Sequence, residues 1–280
     1  MSKRAAEESN SGTKKKYRFS TGILEPCVSG VYATCSRKRE KQAAQELANL
    51  FQEKLEEYYG DDALNNNEDT ELDKELSVEE QINKELETLK AQKSDPKNKE
   101  ILRFVDLNCE CVVFCKTRKP VVPETFVHKI MKEFADPNVK HKRTRYIQKL
   151  TPVTFSCNAS LPELTKLAQQ VLKPHFHEEG IRPLKFAVEV TRRNFNTIEK
   201  MDIINAIVRE VGKDSEVAHT VDLKKYDKLV LVECFKNNIG MSVVDSDYRD
   251  ELKKYNVQQV FEVKIAKNSE DNHKGSPTKK

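Results

Sequence analysis

The stretch from Lys185 to Gly212, KFAVEVTRRNFNTIEKMDIINAIVREVG, constrains the fold most, because its apolar period changes from two to about 3.6 within a few residues. Phe186, Val188 and Val190 alternate with Lys185, Ala187 and Glu189, the pattern of a strand with one dry face. Ile198, Met201, Ile204, Val208 and Val211 then form a helical stripe, with Asn196 as N-cap, Glu199 as its capping-box partner and Gly212 as the stop. That joint demands a mixed α and β architecture. Arg192, Arg193 and Asn194 fall on the connecting loop, beside the free N–H groups of a helix start, where phosphate oxygens find donors and positive charge. The same arginines equally suit a solvated loop or a neighbouring carboxylate.

Strands and helices alternate elsewhere too. Gly30 to Cys35 reads as a strand, and Ser36 as the cap of a helix carrying Ala43, Ala44, Leu47, Leu50, Phe51, Leu55 and Tyr58. Arg37, Lys38 and Arg39 occupy its expected first turn, where the macrodipole prefers carboxylates, so an incoming anion would explain them better than chance. Arg103 to Lys116, RFVDLNCECVVFCK, reads as one strand with Leu107, Cys109, Cys111, Val113 and Cys115 on one side. Its C-x-C-x-x-x-C spacing invites zinc, but thiols along one face of a strand diverge, and buried apolar thiols are the better account. Pro123 opens a helix with Phe126, Val127, Ile130, Met131 and Phe134 inward.

The next segment, KHKRTRYIQKL, holds Lys140, Lys142, Arg143, Arg145 and Lys149 without a carboxylate, and Tyr146 lies among them. Basic residues around an aromatic suit a nucleic-acid backbone with an exposed base, whereas a solvated face usually carries both signs. Val153, Phe155 and Cys157 alternate as a strand. Ser160 and Glu163 cap a helix bearing Leu161, Leu164, Leu167, Ala168, Val171 and Leu172, which Pro174 closes. His175 and His177 flank Phe176 without a third metal ligand near them. KLVLVECF is apolar enough for a central strand, IGMSVV for the last one, and Tyr248 to Glu262 for a terminal helix before a charged tail from Asn268.

Charge is divided unevenly. The chain of 280 residues carries +4 overall, yet residues 60–100 hold thirteen Asp or Glu against six Lys, a net of −7, which leaves +11 elsewhere. The acidic part reads as an insertion with one helix, capped by Ser77 and Glu80 and striped by Val78, Ile82, Leu86 and Leu89. The remainder has the balance of a polyanion binder. Mean hydropathy is −0.72, so part of the chain is expected to stay unfolded. Seven cysteines without an apolar leader point to a reducing intracellular compartment, and no apolar run is long enough to span a membrane. Lys3, Arg4, Lys14, Lys15 and Lys16 form a basic N-terminal tract that suits nuclear import, a nucleic-acid arm or plain solvation.

The order of these elements, with the KRTRY, VEVTRRNFN, VDL and LVLVECFKNNIG segments, resembles the THUMP-domain family of tRNA-modifying proteins over nearly the whole ordered chain. The resemblance is closest to its fungal members that support N4-acetylcytidine formation in the D-arm of leucine and serine tRNAs. It implies an α+β protein: a basic disordered tail over 1–28, an N-terminal ferredoxin-like domain over 29–137 interrupted by the acidic insertion, an α/β THUMP domain over 138–247, and a helix and charged tail over 248–280. It further implies that the two domains together hold the acceptor end of tRNA and that Arg37, Arg143, Arg145, Arg192 and Arg193 are candidates for the RNA face, to which the reading of the residues adds Lys142, Lys149 and Asn194. The chain lacks a G-x-G-x-x-G, a Walker A lysine loop and the glycine-containing pyrophosphate loop of acyl-CoA enzymes. No catalytic residue, metal or cofactor is therefore assigned, and acetyl-CoA and ATP are expected on a separate RNA cytidine acetyltransferase. The expected product is a tRNA-binding adaptor, in the nucleus or nucleolus or else in the cytoplasm. A stand-alone RNA-modifying enzyme and a general interaction protein remain the alternatives.

Overall fold

We describe a computed structural model, covering residues 20–21, 24–65, 100–139, 142, 144–213 and 217–274. The insertion helix expected near Ser77, the N-terminal basic tract and the last six residues lie outside them.

The first sheet has the strand order β1-β3-β4-β2-β5, built from β1 Ser20–Thr21, β2 Ser29–Cys35, β3 Leu102–Asp106, β4 Val112–Thr117 and β5 Ile147–Val153. Helix α1, Glu40–Asn65, joins β2 to β3, and α2, Pro123–Ala135, joins β4 to β5. From β2 onward this is the βαββαβ order of a ferredoxin-like fold, with its four strands antiparallel. The helical stripes are those read from the sequence: Ala43, Leu47, Phe51 and Leu55 of α1 and Phe126, Val127, Ile130 and Met131 of α2 are buried on one face of the sheet. Leu24, Val28, Tyr32, Phe114 and Phe235 fill the opposite face.

The second sheet runs β6-β10-β9-β7-β8, from β6 Phe155–Asn158, β7 Lys185–Arg193, β8 Thr220–Val221, β9 Lys228–Phe235 and β10 Asn238–Asp245. Helices α3, Leu161–Phe176, and α4, Lys200–Gly212, cover one face. Its other face packs into the core of the first half through Ala187, Leu229, Leu231 and Val244. The chain then folds back: a short helix α5, Asp247–Asp250, a tight turn at Lys253–Tyr255 and helix α6, Val257–Lys274, bring Tyr255, Val257, Val260 and Phe261 against α2 and β5. Among the described residues no helix is long and apolar enough to cross a membrane.

Several local expectations change. Residues 103–116 form a hairpin, not one strand: the Asp106 carboxylate accepts from Asn108 N–H at 3.0 Å, and Asn108 and Cys111 take positive φ. Helix α1 begins at Glu40, so Arg37, Lys38 and Arg39 lie on the turn before it, and Glu40 supplies the carboxylate that the first turn prefers. Strand β7 is covered on both faces, because Phe186 and Val190 pack under the helices while Ala187 packs into the core of the first half. It extends through Arg193, and α4 starts only at Lys200, with Glu199 rather than Asn196 at the N-cap. Its buried apolar residues are Ile203, Ile207 and Val211, with Glu210 buried beside them, while Met201 is 59% exposed. Pro174 sits inside α3, and α6 runs beyond Asn268. The boundary expected at residue 137 precedes β5, which hydrogen-bonds into the first sheet. One residue, Thr154, separates the two sheets along the chain, and its N–H donates to Met241 O at 2.9 Å. The sheets meet so closely there that a Cβ on Gly240 would lie 2.8 Å from a Val153 methyl.

Candidate nucleic-acid interface

The segment entering β5 is held by a single carboxylate. Glu46 on α1 accepts the backbone N–H of Arg145 at 2.7 Å, of Tyr146 at 3.1 Å and of Ile147 at 3.1 Å. An ionised acceptor for three consecutive donors fixes the backbone more firmly than neutral partners would. Ser36 N–H adds a bond to Tyr146 O at 3.1 Å, tying the same segment to the turn before α1. Tyr146 is half-buried at the margin of the first core. The guanidinium carbons of Arg39 and Arg145 stand over its ring, 5.9 and 5.5 Å from the centroid. Both arginines are exposed, and neither has an ion-pair partner among the described residues. Lys142 is exposed on the same segment, whereas Arg143 lies outside the described residues. Arg37 is also exposed, with its Nε 3.1 Å from Glu110 Oε2. Such an open pair holds its arginine weakly, by about 0–1 kcal/mol.

The double arginine behaves differently from its expected loop setting. As consecutive strand residues, Arg192 and Arg193 point to opposite faces of β7. Arg192 is exposed and lies 3.8 Å from Glu199. Arg193 turns inward, 3.8 Å from Glu233 on β9, a carboxylate that is only 6% exposed. Burial pushes the Glu233 carboxyl above its ordinary range, while Arg193 and Lys149 pull it back. Lys149 shares this setting: burial lowers its ammonium, Glu233 and Glu189 oppose that shift, and its Nζ lies 5.9 Å from the Tyr248 ring centroid. Arg193 pairs with Glu233 within the second sheet, and Lys149 of the first sheet adds positive charge to the same surroundings. Asn194, exposed at φ 50, bends the chain out of β7.

Hydrogen bonds connect the remaining cations into one end of the molecule. Cys35 N–H reaches Cys111 O at 3.0 Å, Lys236 Nζ reaches Leu107 O at 3.2 Å, and Lys236 N–H reaches Arg193 O at 3.2 Å. Through these links the Tyr146 segment, the Arg37–Arg39 turn, the β3–β4 turn, the β9–β10 turn and the end of β7 adjoin. Lys236 therefore joins the residues singled out by sequence. Tyr146 was visible among the basic residues; Glu46, which positions it, carries no local signal, because its partners are about a hundred residues away.

Other candidate groups have structural roles. His219 accepts Leu184 N–H at Nδ1, 3.2 Å away, which leaves Nε2 protonated to face Phe176 O at 3.0 Å. Burial pushes the Cys35, Cys157 and Cys234 thiols up to about 12, so they stay protonated at neutral pH. Among the described residues no three His, Cys, Asp or Glu gather where they could hold a metal ion.

A ferredoxin-like sheet sharing a core with a five-stranded mixed sheet, with exposed cations near the links between them, defines a two-part α+β protein with a polyanion-compatible surface. Residues 158–244, from the end of β6 into β10, match the THUMP domain, and the chain belongs to the THUMP-domain family. It is 56% identical over 278 residues to a Saccharomyces cerevisiae protein named tRNA acetyltransferase TAN1, an alignment spanning 95% of this chain and 96% of the yeast protein. Mouse THUMP domain-containing protein 1 is 32% identical over 90% of this chain and 69% of its own length. A Drosophila melanogaster homolog is 24% identical over 96% of this chain and 85% of its own.

Proposed function

We propose that this protein binds tRNA and acts as a non-catalytic adaptor in tRNA cytidine acetylation, presenting a D-arm cytidine of leucine and serine tRNAs to a separate RNA cytidine acetyltransferase. The observation that carries the reading is the joined end just described, where hydrogen bonds tie the turn bearing Arg37 and Arg39 and the Tyr146 segment, through the β3–β4 turn, to Lys236 and the end of β7. Phosphate contacts from both halves position a folded RNA by shape without reading a long sequence. Kinship with the yeast protein supports acetylation as the process served. The adaptor's contribution is orientation, since holding the reacting cytidine in place removes much of the entropy of the encounter. Acetyl-CoA and ATP then belong to the partner enzyme, and a nuclear or nucleolar location follows from the same reading.

The printed name of the yeast relative favours a second reading, in which the chain itself transfers the acetyl group. Incubating the purified chain with tRNA, acetyl-CoA and ATP separates the two. N4-acetylcytidine is expected only when a partner acetyltransferase is added; product formed by the chain alone would establish the enzyme and remove the adaptor.

A further inference from the structure

We propose that Arg39, Tyr146 and Arg145 form a seat for one unpaired nucleotide, whose base stacks on the ring and guanidinium planes while its phosphate takes the remaining guanidinium N–H donors. The inference deepens the tRNA-binding reading and rests on it.

Three observations carry it. Two guanidinium groups lie within 6 Å of one half-buried phenol ring, so cations and an aromatic ring are gathered at the protein boundary. Such surface accepts any base, because every base has a π face. Secondly, Arg39 and Arg145 have no carboxylate partner among the described residues, in contrast to Arg37, Arg192 and Arg193. Their donors are free for a ligand phosphate. Thirdly, the Tyr146 backbone is fixed from two sides, by Glu46 and by Ser36 N–H, so the point from which the ring projects is set before a ligand arrives. Preorganisation of this kind reduces the entropy lost on binding. A grip on duplex phosphates alone would need the charges and not the aromatic ring.

The test uses the full chain and two RNA probes: a blunt duplex, and the same duplex with a short single-stranded overhang containing 2-aminopurine, whose fluorescence falls on stacking. The wild-type chain should bind the overhang probe more tightly and quench it. Tyr146→Leu, which keeps apolar packing but removes the π face, should lose about tenfold in overhang affinity, along with the quench, at an unchanged salt slope. Tyr146→Phe should retain both. Arg39→Gln should lower the salt slope by about one. Equal wild-type affinity for the two probes, or a Tyr146→Leu chain that still binds and quenches, would overturn the seat while leaving tRNA binding intact. Binding of neither probe nor tRNA by the wild type would overturn the tRNA-binding reading and the seat with it. Should thermal melting show Tyr146→Leu unfolded, the Arg39→Gln and Arg145→Gln variants, altered only at exposed side chains, decide by whether the quench survives.

Discussion

At the scale of single residues, Glu46 is the position where one atom group controls the most. Glutamine there would offer one neutral oxygen to three N–H donors, leaving at least one without its partner. Glu46→Gln is expected to destabilise the fold by about 1–2 kcal/mol in chemical denaturation. Amide exchange at Tyr146 and Ile147 should speed up, and tRNA affinity should fall with it. Asp222 offers a pH readout. Backbone N–H groups of Lys225 and Lys224, and then Lys185, hold its carboxyl down at about 2, below its ordinary 3.8. A depressed acid contributes stability that is present above the unfolded value and disappears as pH falls through the folded one. Thermal stability of the wild type should therefore decline between pH 4 and 2, and Asp222→Asn, which keeps an oxygen for the turn, should flatten that decline. The KRTRY segment was legible as basic because such local composition needs no partner to be seen. The fates of Arg192 and Arg193 were not, since Glu199 and Glu233 decide them through the register of β7 against β9 and the late start of α4.

At the scale of elements, β9 carries one buried carboxyl, Glu233, among apolar residues. Glu233 lies 3.8 Å from Arg193 of β7 and attracts Lys149 of β5, so removing it leaves two partly buried cations without that carboxylate. Glu233→Ala is expected to cost about 3 kcal/mol, read as a lower denaturation midpoint, a larger loss than an exposed pair such as Arg37–Glu110 would give. Gly240→Ala would force β10 away from the Val153 methyls and should destabilise by about 1–3 kcal/mol. Helices α1, α2 and α3 were legible because their stripes repeat over several turns. The β3–β4 turn was hidden because Leu107, Cys109 and Cys111 happen to alternate, while the Asp106 side chain closing on Asn108 and the positive φ of Asn108 and Cys111 break the strand. The phase of α4 was misread because Ile198, buried ahead of the helix, was counted as its first turn.

At the scale of the whole molecule, the two halves share one core. Tyr255, Val257, Val260 and Phe261 are buried with residues of α1, α2 and the first sheet. Mixed α+β layering was readable from alternating periods, but this return of the chain end was not, because the partners of α6 are more than a hundred residues earlier, as in the bond from Lys264 Nζ to Phe134 O. Arg39→Glu combined with Arg145→Glu should weaken tRNA binding across all tRNAs and lower the salt slope by about two, with circular dichroism unchanged.

Helix α6 has a consequence for synthesis. The half of the protein that leaves the ribosome first cannot close over α2 until the final segment has emerged, so its nascent form keeps apolar surface uncovered for most of translation. A premature stop just upstream of Val257 should accordingly abolish the protein, recovered as aggregate or degraded, instead of yielding a shortened RNA binder.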